Sequence, residues 1–202
     1  MTRKGTASAA TFTLIELLVV ITIIAILMGF LFPAFRSVQD QARKTQTKSD
    51  LIGIVTAVNA FYTDYGRYPT SDTTDASATY GAGGAHPNDA LFNELRATGT
   101  LTLNTRQIVF ITPPDAKDQD NPRAGINTSN GRYYDAWGSE YTVAMDADYD
   151  NQITPNPYGN NQGAGSSPLR QGAIAWSIGK DKAPGANGNG IFARSDDVIS
   201  WQ

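Results

Sequence analysis

The sequence predicts an α+β chain: a long N-terminal helix, membrane-spanning in its first half, packed on a small antiparallel sheet. Three observations carry this. The run from Phe12 to Arg36 is almost wholly Leu, Ile, Val, Phe, Met and Ala, with no charged side chain between Glu16 and Arg36. Residues 36–65 keep a helical spacing of apolar positions but gain polar neighbours. From Tyr133 onward, short β-rich pieces alternate with turns rich in Gly and Pro.

The first element is long enough to span a bilayer. About 20 apolar residues at ~1.5 Å rise each cover the ~30 Å hydrocarbon core. A cleaved secretory signal has an apolar region of only ~7–15 residues that ends at a small-residue cleavage site. Here the run is longer and ends in Pro33-Ala34-Phe35-Arg36. Glu16 stands out within it. A carboxylate costs roughly 2.5–3.5 kcal/mol at the centre of a span and less near the interface. Glu16 therefore either lies at headgroup level and marks the end of the span, or has a partner.

The helix is expected to continue to Tyr65. Phe35, Val38, Ala42, Thr45, Ser49, Ile52, Val55, Val58 and Tyr62 recur at three- and four-residue spacing and predict the stripe that faces the sheet. Pro33 removes one intrahelical hydrogen bond and predicts a bend. Gly66 and Pro69 predict the helix end. Residues 71–84 are rich in Ser, Thr, Ala and Gly and read as an exposed loop. Residues 90–96 read as a short helix with Asp89 as its N-cap. Residues 101–112 carry a β-prone piece, and 113–131 read as loop. Strands are expected at 141–145, 173–178 and 198–201.

Composition narrows the function. The 202 residues leave room, after a leader and one span, for one compact domain. A net charge of −3 gives no general affinity for nucleic acid. Arg36, Arg43, Lys44 and Lys48 read as a solvated helix face. The chain has no Cys, which excludes a disulfide and a Cys nucleophile. His86 is the single histidine, so a His-based zinc site is excluded and a Ser-His-Asp triad would have to use it. No motif supports that triad, and there is no Gly-x-Ser-x-Gly, phosphate-binding loop or dinucleotide fingerprint. The chain is expected not to be an enzyme.

Asp146, Asp148 and Asp150 have the spacing at which an EF-hand loop begins, with Asn151 where that loop usually has Gly. Its twelfth position is Pro157 rather than the bidentate Glu, and no flanking helix pair is evident. A weak cation site or an ordinary acidic turn fits these residues better than an EF-hand.

Arg3 and Lys4, a stretch of small residues, and then Phe12-Thr13-Leu14-Ile15-Glu16-Leu17-Leu18 resemble the class III signal of type IV pilins and pseudopilins. The family's glutamate falls on Glu16 and its helix-bending proline on Pro33. The resemblance implies a pilin-like fold, with cleavage by a prepilin peptidase between Thr11 and Phe12 and N-methylation of Phe12. The family normally has Gly before the Phe; this chain has Thr11, and its nearest upstream Gly is Gly5. With Phe12 as the mature N-terminus, its amine can neutralise Glu16 of an adjacent subunit and set the register of packed helices.

The aromatic passage Phe61 to Pro69, Asp135-Ala136-Trp137-Gly138 and the C-terminal segment resemble the major pseudopilins of type II secretion more closely. That likeness implies a structural Ca²⁺ held by Asp181 and Asp197, with Asp196 an additional acid. Asp146, Asp148 and Asp150 lie in an insertion relative to the pseudopilin pattern. The implied organisation is a leader at 1–11, a transmembrane assembly half-helix at 12–35, an amphipathic half at 36–65 and a periplasmic domain at 66–202. The implied role is a homo-oligomeric pseudopilus that drives protein export across the outer membrane. Its implied partners are minor pseudopilins, the prepilin peptidase and the inner-membrane assembly platform, with no nucleic acid. Before assembly the chain would lie in the inner membrane as a single pass, N-terminus cytoplasmic and globular domain periplasmic. The alternatives are a type IV pilus subunit for adhesion, motility or DNA uptake, and an anchored binding ectodomain that never polymerises.

Overall fold

The computed structural model describes residues 12–154, 156–159 and 163–202, with the side chains of residues 32–34 and 187 left out. The leader, Thr11 and the Pro33 side chain thus lie outside the described residues. Two compact units divide the chain, the first ending at Ala42 and the second running Arg43–Gln202.

In the first unit, helix α1 begins at Leu14 and runs through an apolar stretch whose described side chains are exposed. Its most apolar 18-residue window has a mean hydropathy of 2.9 and is 0% buried, so length and composition suit a membrane crossing.

In the second unit, α1 continues to Tyr65 and packs on a four-stranded antiparallel sheet. The strands β1 (Thr79–Tyr80), β4 (Thr142–Met145), β5 (Ala173–Ser177) and β6 (Val198–Ile199) are ordered β1-β4-β5-β6. A separate hairpin joins β2 (Gly125–Ile126) to β3 (Tyr133–Tyr134). A short helix, α2 (Asp89–Arg96), completes the helix side of the core with Leu91, Phe92 and Leu95.

Side chains alternate across a strand, and both faces of this sheet are covered. Val143, Met145, Ala173 and Ala175 meet α1, while Ala144, Ile174, Trp176 and Ile199 meet a second cluster built from Ile153, Tyr158, Ala164 and Leu169. The excursion between β4 and β5 thus closes the outer face of the sheet.

Several sequence expectations are corrected here. The buried face of α1 is Thr47, Leu51, Ile54, Ala57, Val58 and Phe61, whereas Phe35, Val38, Ile52 and Tyr62 of the expected stripe are exposed. The helix is apolar on more than one side, so periodicity alone does not choose the face. The expected loop at 71–84 contributes β1 and buries Asp75, Ala78 and Tyr80. The β-prone piece at 101–112 forms no strand: Leu95 O draws in the Phe110 and Ile111 amides, and Asn104 captures the Ile108 amide. The N-cap of α2 is Asn88, and its side chain instead joins β3 to the residue before β4, receiving the Tyr133 amide and donating to the Tyr133 and Tyr141 carbonyls.

Buried carboxylates tie the loops down. Asp135 is fully buried and accepts from the Trp137 amide (2.8 Å), the Ser139 amide (2.9 Å) and the Ser177 hydroxyl (2.5 Å). This gives the Asp-x-Trp-Gly passage its physical reason: one carboxylate closes the β3–β4 turn and fastens it to β5.

Candidate functional site

The N-terminus of α1 is a capping box. Thr13 precedes the first helical residue and its Oγ1 accepts from the Glu16 amide at 3.3 Å. In return Glu16 Oε2 accepts from the Thr13 amide at 2.8 Å and from the Thr13 hydroxyl at 2.6 Å. Reciprocal bonds of this kind satisfy donors that a helix start leaves open, and they place a negative charge at the positive end of the helix dipole. Glu16 therefore has a partner within its own chain. The Thr-x-x-Glu spacing before an apolar run was the signal for it in the sequence. Phe12 stands just outside, 71% exposed.

Asp181, Asp196 and Asp197 converge at the C-terminus, each offering an oxygen within 4.8 Å of the others. The turns that bring them together are tight. Gly179 adopts φ +68°, and a Cβ there would meet the Asp196 backbone and carboxyl at 2.8 Å. Gly185 adopts φ +78°, and a Cβ there would lie 2.4 Å from the Ile191 amide nitrogen. Asp196 Oδ2 accepts from the amides of Lys180 (2.5 Å) and Asp181 (3.0 Å). Asp197 Oδ2 accepts from the Gly185 amide at 2.6 Å.

The other oxygen of Asp197 has no hydrogen-bond partner, although the residue is only 6% exposed. The Ser195 hydroxyl and the Tyr158 hydroxyl are buried and unpartnered as well. Burial pushes the Asp197 carboxyl above its usual range, the Gly185 amide and the nearby Tyr158 hydroxyl work against this, and the charges of Asp196 and Asp181 push it higher again. These residues fit a hard divalent cation. Two oxygens bound to one Ca²⁺ at about 2.4 Å lie at most about 4.8 Å apart.

The second acidic cluster differs in membership from the sequence reading. Asp146 and Asp148 come together with Asp75, and Asp150 falls outside the group. Asp75 arrives from the β1 loop, 71 positions before Asp146, and no local spacing announces it. Asp75 accepts from the amides of Ala147 (3.0 Å) and Thr154 (2.8 Å), and Asp146 from those of Asp150 (3.1 Å) and Asn151 (2.9 Å). Both carboxyls are raised by burial, and each faces acidic neighbours. Either acidic cluster offers oxygen ligands for an ion. Only in the C-terminal one does a buried carboxylate oxygen lack a donor.

His86 lies beside Asp72, its Nε2 3.2 Å from Oδ2, and its ring meets that of Tyr80 at 5.1 Å, tilted by 31°.

Comparison with known proteins bears on the N-terminal site most directly. Residues 12–32 match the family model described as the prokaryotic N-terminal methylation motif. The first matched residue is Phe12 and the capping box lies wholly inside. A 61-residue stretch is 34% identical to a type II secretion system core protein G from Klebsiella michiganensis, covering 30% of this chain and 43% of that protein. No solved structure matches. In a prepilin, an apolar N-terminal helix of this kind anchors the chain in the inner membrane before assembly. With that motif at the head of α1, and α1 packed on an antiparallel sheet, the chain combines the prepilin methylation motif with a pilin-like α+β fold and has a distant likeness to the major pseudopilin of type II secretion.

Proposed function

We propose that this chain is the structural subunit of a type II secretion pseudopilus. The observation that carries the reading is the methylation motif beginning at Phe12, joined to the likeness to core protein G. A prepilin peptidase cuts between Thr11 and Phe12 and methylates the Phe12 amine. The organisation is a leader at 1–11, an assembly half-helix at 12–35, an amphipathic half at 36–65 and a periplasmic domain at 66–202. The apolar surface of residues 14–31 is covered by lipid before assembly and by helices of other copies afterwards, which gives the exposed Leu, Ile and Val side chains their burial.

On leaving the membrane, the Phe12 amine of one copy pairs with Glu16 of its neighbour. The capping box supports this, because it holds the Glu16 carboxylate at the helix end, where an incoming amine competes with the Thr13 donors. Pro33 bends the helix. Minor pseudopilins and the inner-membrane platform are the further partners, and filament growth drives exoproteins across the outer membrane. Ca²⁺ bound by Asp181, Asp196 and Asp197 closes the C-terminal loop in a chain that has no Cys for a disulfide.

The test is the intact mass and N-terminal sequence of the protein from its native membrane. The expected chain starts at methylated Phe12. A chain starting at Met1 or Thr2 removes the amine partner of Glu16 and overturns the assembly reading. Independently, Glu16→Ala subunits are expected to be excluded from filaments of the wild type, and their normal incorporation would refute the ion pair.

A further inference from the structure

The excursion between β4 and β5 brings one side chain to the C-terminal acidic loop. Its residues Ile153, Tyr158, Ala164 and Leu169 share a buried cluster with Ile178, Phe192 and Trp201 of the C-terminal segment. Within it the Tyr158 ring packs on Phe192 at 5.2 Å and 65° and lies 6.3 Å from Trp201. Trp201 Nε1 pins the excursion by donating to Ala164 O at 2.7 Å, and within it the Tyr158 amide donates to Asn156 Oδ1 at 3.0 Å.

Tyr158 is 1% exposed and its hydroxyl has no hydrogen-bond partner. Asp197 is 6% exposed, with Oδ2 taken by Gly185 and Oδ1 unpartnered. A buried donor and a buried acceptor, each unsatisfied, are costly apart and complementary together. They are neighbours: the phenol is pushed up by burial, then by the charge of Asp197 and by the approach of its hydroxyl to that carboxylate, and the two atoms stop short of hydrogen-bond geometry.

We propose that Tyr158 is the positioning residue of the C-terminal cation loop, its hydroxyl orienting the Asp197 carboxylate toward the ion. The inference rests on the reading of Asp181, Asp196 and Asp197 as a calcium site. A carboxylate oxygen has lone pairs for both an ion and a donor, and ligating carboxylates are commonly held by such outer partners. The excursion then sets the affinity of a loop that it does not itself ligate, and it does so through a single O–H.

The experiment uses the full-length chain in detergent, stripped with EDTA, with Ca²⁺ titrated by calorimetry and by its shift of the melting temperature. Tyr158→Phe keeps the ring on Phe192 and removes only the oxygen. Its expected calcium affinity is about 10- to 100-fold weaker, with a metal-free melting temperature equal to that of wild type. Phe192→Leu loosens the same ring contact without touching the hydroxyl and is expected to keep wild-type affinity. Wild-type binding with an unchanged affinity in Tyr158→Phe overturns this inference alone. An equal loss of affinity in Phe192→Leu also overturns it, because packing would then be the cause. No calcium binding by the wild type overturns both the inference and the calcium reading beneath it.

Discussion

The ammonium of Lys48 on α1 donates to the main-chain carbonyl of Ile199 at 2.7 Å, 151 positions along the chain. It also reaches the main-chain oxygens of Ser200 (3.3 Å) and Gln202. A single cation thus ties the helix to the last strand, supplying a donor to the Ile199 carbonyl of β6 and to two main-chain oxygens just beyond it. Lys48 is one of the basic residues that composition suggests as a solvated helix face, and its ammonium is instead a tertiary clasp. Lys48→Met is expected to cost roughly 1.5–3 kcal/mol, the range for hydrogen bonds to a charged group. In a thermal melt of the full chain this is a fall of roughly 3–12 °C. An unchanged melting temperature would mean that water serves those carbonyls equally well.

Calcium is expected to raise the melting temperature of the wild type and to leave that of Asp197→Asn unmoved. At about 100 times the dissociation constant, a ligand specific to the folded state contributes about 2.7 kcal/mol. Asp150→Asn should behave as wild type in the same titration, because Asp150 stands outside both acidic groups.

Glu94 sets the acid limb of stability. It is 5% exposed and accepts from the amides of Thr102 (2.7 Å), Leu103 (3.1 Å) and Asn104 (2.7 Å) and from the Thr102 hydroxyl (3.0 Å). Burial pushes its carboxyl up, but these donors outweigh burial and hold it below the usual 4.5. A depressed folded pKa means that this stabilisation is complete above about 4.5 and is lost as the pH falls through the folded value. The melting temperature of the wild type should therefore drop more steeply below pH 4.5 than that of Glu94→Gln. At neutral pH the variant should be less stable by about 2–3 kcal/mol, since its amide nitrogen faces backbone amides.

Asp135 tests the turn between β3 and β4. Asp135→Ala leaves the Trp137 and Ser139 amides without their acceptor in a fully buried site. A loss of about 3–5 kcal/mol is expected from chemical denaturation, while Ser177→Ala, which removes one of the three donors, should cost about 1–2 kcal/mol.

Thr13→Ala removes half of the capping box and should cost the helix start about 1 kcal/mol. Hydrogen exchange of the first turn in detergent is expected to speed up about fivefold, with exchange around Leu51 unchanged. Equal exchange rates in the first turn would show that the Thr13 hydroxyl contributes nothing to the cap.

What the sequence determined by itself is what depends on near neighbours. The apolar run, the break after Tyr65, the short strands around Val143 and Ile174 and the family likeness of residues 12–32 all read out over a few turns of chain. The Thr13–Glu16 box was equally local and was there to be read. Tertiary structure alone decided the rest. It chose Leu51, Ile54 and Phe61 over Ile52 and Tyr62, because a helix apolar on several sides takes its buried face from what packs against it. It put Asp75 with Asp146, Tyr158 beside Asp197 and Lys48 on Ile199, pairings 71, 39 and 151 positions apart that no periodicity records. Such groups meet because the sheet buries both faces, and burial forces each polar group to find a partner wherever the fold supplies one.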